Sequence, residues 1–114
     1  MTGAVETALR ARIDAGGKCL VPYITGGLGD DWLDPVRAVA AAGADVIEIG
    51  MPFSDPVMDG PTIQEANDRA LEAGVTPQTI LDDLRHADIG VPTAVMTYGN
   101  IAYHMGFERF ANSL

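Results

Sequence analysis

The chain has 114 residues, of which 47% are hydrophobic and 20% are charged, and 16 acidic against 7 basic residues give a net charge of −9. This length allows one small domain with a modest core. Because Lys and Arg form no cluster, the sequence argues against nucleic acid and against an anionic membrane surface as partners.

The first half of the chain predicts two helices and two strands. Apolar residues four positions apart predict a helix over about residues 5–15. The run "CLVPYIT" predicts a strand over residues 19–25. Asp31 is typical of the N-cap of a helix that ends at Gly43, and the apolar run "DVIEIG" predicts a second strand over residues 45–50.

The second half continues the alternation. Thr62 and Glu65 fit a capping box for a helix that ends near Glu72, and Thr76 with Pro77 predicts the start of the next helix. "VPTAVMTY" predicts a third strand, and the residues after it predict one or two short helical pieces. Apolar strands that alternate with helices are typical of right-handed βαβ units. The sequence therefore predicts an α/β fold with a parallel sheet covered by helices.

Chemistry in such a fold is expected where the strands end. The turn "TGGLGD" matches neither G-x-G-x-x-G nor the phosphate-binding G-x-x-x-x-G-K-[ST], so we interpret it as a tight turn rather than a nucleotide site. In parallel α/β folds, ligands gather at the carboxyl ends of the strands. The second strand carries a charged residue, Glu48, at that end.

Glu48 interrupts an otherwise apolar run. Side chains alternate along a strand, so Ile47 and Ile49 suit packing against helices and Glu48 is expected to face the inner side of the sheet. A carboxylate there is costly unless it is paired or hydrogen-bonded. One interpretation is a general acid/base at the strand end. The alternative is a structural Glu bonded to nearby backbone or to a hydroxyl.

The loop after the strand, residues 50–61, adds two more carboxylates. Its three prolines restrict the backbone, which predicts a stiff loop. Taken alone, Asp55 fits an Asx-turn and Asp59 fits an acid at a helix entry, whereas a second acid beside Glu48 would give a two-acid site. With no histidine nearby and no calcium-loop pattern, we expect no metal.

Three segments of the sequence resemble those of a known family. The segments "VPYITGG", "AGADVIEIGMPFSDPVMDGPTIQEANDRALEAGVT" and "VMTYGN" closely resemble the alpha subunit of tryptophan synthase, over most of the chain and with a highly specific central block. The resemblance implies the N-terminal portion of a (β/α)₈ TIM barrel, with about three parallel strands and covering helices in one partial domain over residues 1–114. It also implies a cofactor-free lyase of tryptophan biosynthesis that cleaves indole-3-glycerol phosphate, and a beta subunit as partner in an α₂β₂ assembly.

The resemblance also implies roles for single residues. The general acid/base glutamate of the family falls on Glu48 and its loop aspartate on Asp59. Glu48 would then shuttle protons during a retro-aldol cleavage, while Asp59 would stabilise the charge that develops on the indole N–H. Substrate contacts are implied for Tyr23, Tyr98 and Asn100, whereas Thr97 would face outward. Contacts with the beta subunit are implied for Pro52, Asp55 and Pro56.

The length leads to two further expectations. A full barrel takes about 250 residues and eight strands, so we expect this chain alone to have little or no activity. Three strands leave two unpaired edges and remove the wall opposite Val21, Val46 and Met96, so we expect association, complementation by the missing half or marginal folding. The alternative function is a non-catalytic fragment that docks the beta subunit through the loop Pro52–Pro61.

The expected location is cytoplasmic. The N-terminus lacks the apolar core of a signal peptide, and no apolar run approaches the ~20 residues of a membrane span. The single cysteine, Cys19, lies in an apolar run, which predicts a small core residue rather than a reactive thiol.

Overall fold

A computed structural model describes residues 3–114, and within them strands alternate with helices in the predicted order. The elements are α1 Ala4–Asp14, β1 Tyr23–Thr25, α2 Leu33–Ala41, β2 Ile47–Gly50, α3 Pro61–Glu72, α4 Pro77–His86, β3 Thr93–Met96, α5 Gly99–Met105 and α6 Phe107–Ser113. No helix within this described range is both long and apolar enough to cross a bilayer.

The three strands form one parallel sheet in the order β1-β2-β3. Tyr23 pairs with Glu48 across β1 and β2, and Glu48 pairs with Ala94 across β2 and β3. Parallel neighbours of this kind need crossover helices, which explains why α2 separates the first two strands and α3 and α4 separate the last two. The carboxyl ends of all three strands therefore meet at one edge of the sheet.

The core lies between the sheet and the helices. Ile47 and Ile49 are both 0% exposed, and they project from β2 towards this side. The other buried members of the core cluster are Trp32, Val36, Ala44, Met51, Ile80, Leu81 and Ile101. Trp32 also donates its indole N–H to Asp83 Oδ2 over 3.1 Å, which ties the start of α2 to α4. The alternation of β2 thus places the apolar face against the helices, as predicted.

The opposite face of the sheet is partly open to solvent. Met96 on β3 is 50% exposed, as expected for an inward residue without an opposite wall, and Val21, which precedes β1, is 45% exposed. Val46 is only 2% exposed, so the expectation was wrong for this residue, which precedes β2 rather than lying in it.

We expect this open face, together with the outer edges of β1 and β3, to drive association of the isolated chain in solution. Sedimentation velocity over a range of protein concentrations would show species larger than the 12.0 kDa monomer. A monodisperse monomer that also unfolds in one cooperative thermal transition would contradict this expectation.

Two predicted helix starts and one predicted core residue are wrong. Gly60 and Pro61 precede Thr62 as the N-cap and first residue of α3, so Thr62 lies inside the helix and cannot cap it. The N-cap of α2 is Trp32 rather than Asp31. Cys19 is exposed, because β1 begins only at Tyr23, after Pro22, and the preceding segment lies outside the sheet. The predicted start at Thr76 and Pro77 is confirmed, with Thr79 completing the capping box.

Asp45 joins the N-terminal segment to the sheet. Its Oδ2 accepts a hydrogen bond from the Leu20 backbone N–H over 2.7 Å, and its Oδ1 accepts one from Arg12 Nε over 3.2 Å. The Asp45 N–H donates in turn to the Leu20 carbonyl over 2.9 Å. The Leu20 amide, and to a smaller extent Arg12, hold the pKa of the Asp45 carboxyl below its ordinary value of 3.8.

A carboxyl whose pKa is depressed by folding stabilises the fold above its unfolded pKa, and this stabilisation is lost as the pH falls through the lower folded value. We therefore expect Asp45→Asn to lower the urea midpoint of unfolding at pH 7. The difference from the unmodified chain should shrink as the pH falls below 3.8 and through the lower pKa of folded Asp45. Asp68→Asn, at an exposed site on α3, is the matched control. A difference that is the same at pH 7 and at pH 2.5 would contradict the charge-dependent role of Asp45.

Candidate active site

Glu48 projects from the inner face of the sheet and is half-buried. It is flanked on that face by Tyr23 of β1 and by Ala94 of β3, its register partners. Within residues 3–114, neither the side-chain hydrogen bonds nor the ion pairs involve the Glu48 carboxylate. The burial of Ile47 and Ile49 against the helices agrees with the predicted orientation of Glu48. The alternative of a structural, hydrogen-bonded Glu finds no partner in the described chain.

The ring of Tyr23 lies across the end of β2. A methyl group placed on the Cα of Gly50 would overlap the Tyr23 phenol. Glycine is therefore needed at residue 50 because an aromatic ring passes over the backbone there, two residues beyond Glu48 on the same face. Tyr23 thus covers the strand end beside the glutamate, and its predicted contact with a substrate stays a prediction.

The loop between β2 and α3 is fixed at both ends. The Met51 N–H donates to the Met96 carbonyl over 2.9 Å, which ties the loop's start to the end of β3. The Asp59 N–H donates to the Pro56 carbonyl over 3.0 Å, and Gln64 Nε2 donates to the Asp59 carbonyl over 2.8 Å. The turn and the helix start together set the position of Asp59, in keeping with the stiff loop predicted from its prolines.

Tyr98 connects this loop to the end of the third strand. Its hydroxyl donates to Asp59 Oδ2 over 3.1 Å and accepts a hydrogen bond from the Met58 backbone N–H over 3.0 Å. Its ring stacks on Phe53, with centroids 5.1 Å apart and an interplanar angle of 29°. Burial, together with the nearby Asp59 carboxylate, raises the pKa of the Tyr98 phenol above its ordinary value of 10.0. Tyr98 therefore stays protonated at neutral pH and able to donate to Asp59.

A cavity of about 350 Å³ opens between these residues at the carboxyl edge of the sheet, and its walls are mainly apolar. It is lined by Tyr23, Met51, Met58, Asp59, Met96, Thr97 and Tyr98. An apolar cavity with one carboxylate suits a mainly apolar ligand that carries a hydrogen-bond donor. Glu48 is not part of the cavity wall; it lies next to Tyr23 on the same face of the sheet.

Met51, Met58 and Thr97 line the cavity although sequence reasoning did not place them there, whereas Met96 was expected on the inner face. Strand alternation predicts that Thr97 faces outward, but β3 ends at Met96 and the alternation stops with it. Met51 and Met58 lie in the irregular loop, where no periodicity indicates the direction of a side chain. The position of Met96 follows from the two-residue period of the inner face, which it shares with Ala94.

Asn100 lies away from this cavity. It is an exposed residue in the first turn of α5 and lines a separate cavity of about 450 Å³. The other residues around that second cavity are Phe53, Pro77, Ile101, Tyr103, His104 and Met105. The structure therefore brings Tyr23, Asp59 and Tyr98 together and leaves Asn100 apart from them.

Of the residues predicted to contact a partner, one is at the surface of the chain. Pro52 and Pro56 are buried, whereas Asp55 is exposed. Next to it, Val57 is 71% exposed and Met58 is 85% exposed. Within residues 3–114, no three His, Cys, Asp or Glu side chains are grouped so that they could hold a metal ion.

Comparison with known proteins places the chain in a family. The family model described as "Tryptophan synthase alpha chain" matches residues 9–114. The tryptophan synthase alpha chain of Halorhodospira halophila is 47% identical over 111 residues, which are 93% of this chain and 41% of that protein. The corresponding chain of Nitratidesulfovibrio vulgaris strain DP4 is 44% identical over 110 residues, with 93% and 43% coverage. The chain thus spans less than half the length of these relatives.

Solved structures give the same result. A tryptophan synthase structure from Mycobacterium tuberculosis matches with a TM-score of 0.92 at 31% identity, over 100% of this chain and 46% of that chain. Tryptophan synthase subunit alpha from Legionella pneumophila matches with a TM-score of 0.83 at 31% identity, over 99% and 45%. The predicted fold class, the N-terminal portion of a (β/α)₈ barrel with three parallel strands and covering helices, is confirmed. This chain belongs to the tryptophan synthase alpha chain family.

Proposed function

We propose that this chain supplies the catalytic acids of a tryptophan synthase alpha-type lyase, which cleaves indole-3-glycerol phosphate to indole and glyceraldehyde 3-phosphate in tryptophan biosynthesis. The observation that carries the proposal is the placement of two carboxylates at the carboxyl edge of one sheet. Glu48 is half-buried on the inner face, and Asp59 lines an apolar cavity beside Tyr23, the register partner of Glu48.

The reaction needs one proton delivered and one removed. Protonation of indole C3 places positive charge on the ring nitrogen and turns the ring into a leaving group. Removal of the proton from the adjacent glycerol hydroxyl then forms the aldehyde, while the electrons of the breaking C–C bond return to the ring and neutralise it. We assign both transfers to Glu48, which has no competing partner among the described residues.

Asp59 takes a different role. Its carboxylate faces the cavity and can accept a hydrogen bond from the indole N–H, which stabilises the positive charge as it develops. The apolar walls formed by Tyr23, Met51 and Met96 suit the faces of the indole ring. Two acids in unequal surroundings can thus serve one reaction.

The isolated chain is proposed to have little activity of its own. It spans 41% and 43% of two of its relatives, so residues 1–114 would be a partial barrel domain that is truncated relative to the whole. Positioning of reacting groups can contribute several kcal/mol to catalysis, and we propose that groups that hold the rest of the substrate lie on the further strands of a full barrel. We further propose a cytoplasmic location and a beta subunit as partner in an α₂β₂ assembly.

A completed barrel tests the proposal. We define it as residues 1–114 of this chain followed by the part of the Halorhodospira halophila relative that aligns beyond Leu114. The completed barrel is expected to release indole from indole-3-glycerol phosphate. A folded completed barrel that releases none, with or without a tryptophan synthase beta chain, would contradict the lyase assignment.

A second candidate is a non-catalytic fragment that docks a beta chain through the loop Pro52–Pro61. The exposure of Asp55, Val57 and Met58 at the tip of this loop favours it. Size-exclusion chromatography with a beta chain separates the two candidates. Co-elution without indole release from the completed barrel would support docking alone.

A further inference from the structure

The contact between Tyr98 and Asp59 joins two segments that are 39 residues apart in sequence. Tyr98 is the N-cap residue of α5, two residues beyond the end of β3, whereas Asp59 lies near the end of the loop between β2 and α3. The resemblance gave Tyr98 only a contact with substrate. Its hydroxyl instead forms hydrogen bonds within the protein: it donates to Asp59 and accepts from the Met58 N–H.

This arrangement fixes the direction of the Asp59 carboxylate. Oδ2 is occupied by the Tyr98 hydroxyl, and among residues 3–114 no hydrogen bond reaches Oδ1. Two hydrogen bonds and the stacked Phe53 ring restrict rotation of the Tyr98 side chain. Asp59 Oδ1 is therefore the carboxylate oxygen that is available to a ligand in the cavity that Asp59 lines.

We infer that Tyr98 is a positioning residue, which uses its hydroxyl to hold Asp59 and the Met58 backbone so that the second carboxylate oxygen is presented to an N–H donor of the ligand. This inference rests on the proposed function for the identity of the ligand, an indole ring. The hydrogen bonds themselves do not depend on that function. The raised pKa of the Tyr98 phenol supports the inference, because the phenol remains a donor throughout the neutral range.

Hydrogen exchange at Met58 tests the contact in the 114-residue chain as it is. Tyr98→Phe keeps the ring that stacks on Phe53 and removes only the hydroxyl, so the Met58 amide should exchange at least about tenfold faster, as expected for the loss of one hydrogen bond and the release of its partner. Tyr103→Phe removes another tyrosine hydroxyl, on a ring that is 76% exposed, and should leave the Met58 rate unchanged. Equal Met58 rates in Tyr98→Phe and Tyr103→Phe would overturn the inference.

A reciprocal variant keeps the test decisive if Tyr98→Phe does not fold. Asp59→Ala removes the acceptor and leaves the phenol in place. Because the Asp59 carboxylate contributes to the raised pKa of Tyr98, the phenolate absorption of Tyr98 should appear at lower pH in Asp59→Ala than in the unmodified chain. An unchanged tyrosine titration would overturn the contact between the two side chains.

Titration with free indole, followed by NMR, tests the positioning role. Indole should shift the Met58 and Tyr98 signals of the unmodified chain, and Tyr98→Phe should weaken this binding about tenfold, whereas Tyr103→Phe should not. Indole that binds both chains equally well would overturn the positioning role. If neither the unmodified chain nor the completed barrel binds indole, the proposed indole site is contradicted, and the exchange experiment still decides whether Tyr98 holds the loop.

Discussion

Glu48→Gln in the completed barrel is expected to lower the rate of indole release by about 10²–10⁴-fold, the usual contribution of a positioned general acid/base. Glutamine has nearly the same shape as glutamate but cannot take up and return a proton at neutral pH. The inner face around Glu48 should tolerate the change, since no described hydrogen bond or ion pair depends on the carboxylate. The loss should therefore be in kcat, with KM and thermal stability close to the unmodified values.

Glu65→Gln is the matched control for this prediction. Glu65 is an exposed residue on α3 in the same short stretch of chain, and the substitution makes the same chemical change. It should leave indole release within a factor of two. A Glu48→Gln barrel with more than a tenth of the unmodified activity would remove Glu48 from the proton-transfer steps.

Asp59→Asn is expected to lower the rate of indole release by about 10²–10³-fold, which is typical when one group that stabilises transition-state charge is lost. Asparagine keeps a carbonyl oxygen that can accept the Tyr98 hydrogen bond, so the loop geometry should be largely retained. The negative charge that faces the indole N–H is removed. Because that charge matters most when the ring nitrogen is positive, kcat should fall more than substrate binding weakens.

Asp68→Asn, on the exposed face of α3, provides the control for charge alone. It lowers the net negative charge by the same amount, at a site outside the cavity. Rate losses of similar size in Asp59→Asn and Asp68→Asn would mean that the overall charge of the protein, rather than a contact with the indole nitrogen, explains the effect.

Regular periodicity explains why part of this site was predictable from sequence. The two-residue alternation of β2 places Ile47 and Ile49 in the core and Glu48 on the other face, and parallel pairing brings the strand ends to one edge. These inferences depend only on backbone geometry that all strands share. The family resemblance then added the roles of Glu48 and Asp59, which alternation alone left open.

Features outside regular elements were not predictable in this way. The hydrogen bond from Tyr98 to Asp59 depends on the path of an irregular loop and on where β3 stops, and neither is encoded as a local pattern. Asn100 lies in the first turn of α5 rather than along the strand, so inward and outward alternation no longer applies to it. The start of α3 was misplaced because Pro61 can occupy the first helical position without any side-chain cap.

The central claim is that this chain carries the two acids of the lyase while the groups that position the substrate lie in the rest of the barrel. The most direct test measures indole release from indole-3-glycerol phosphate by three preparations: the completed barrel, the 114-residue chain alone, and the segment of the relative alone. Indole should be released by the completed barrel, at a rate at least about 10²-fold above either part. A 114-residue chain that is as active alone as within the completed barrel, or a folded completed barrel that releases no indole, would contradict the claim.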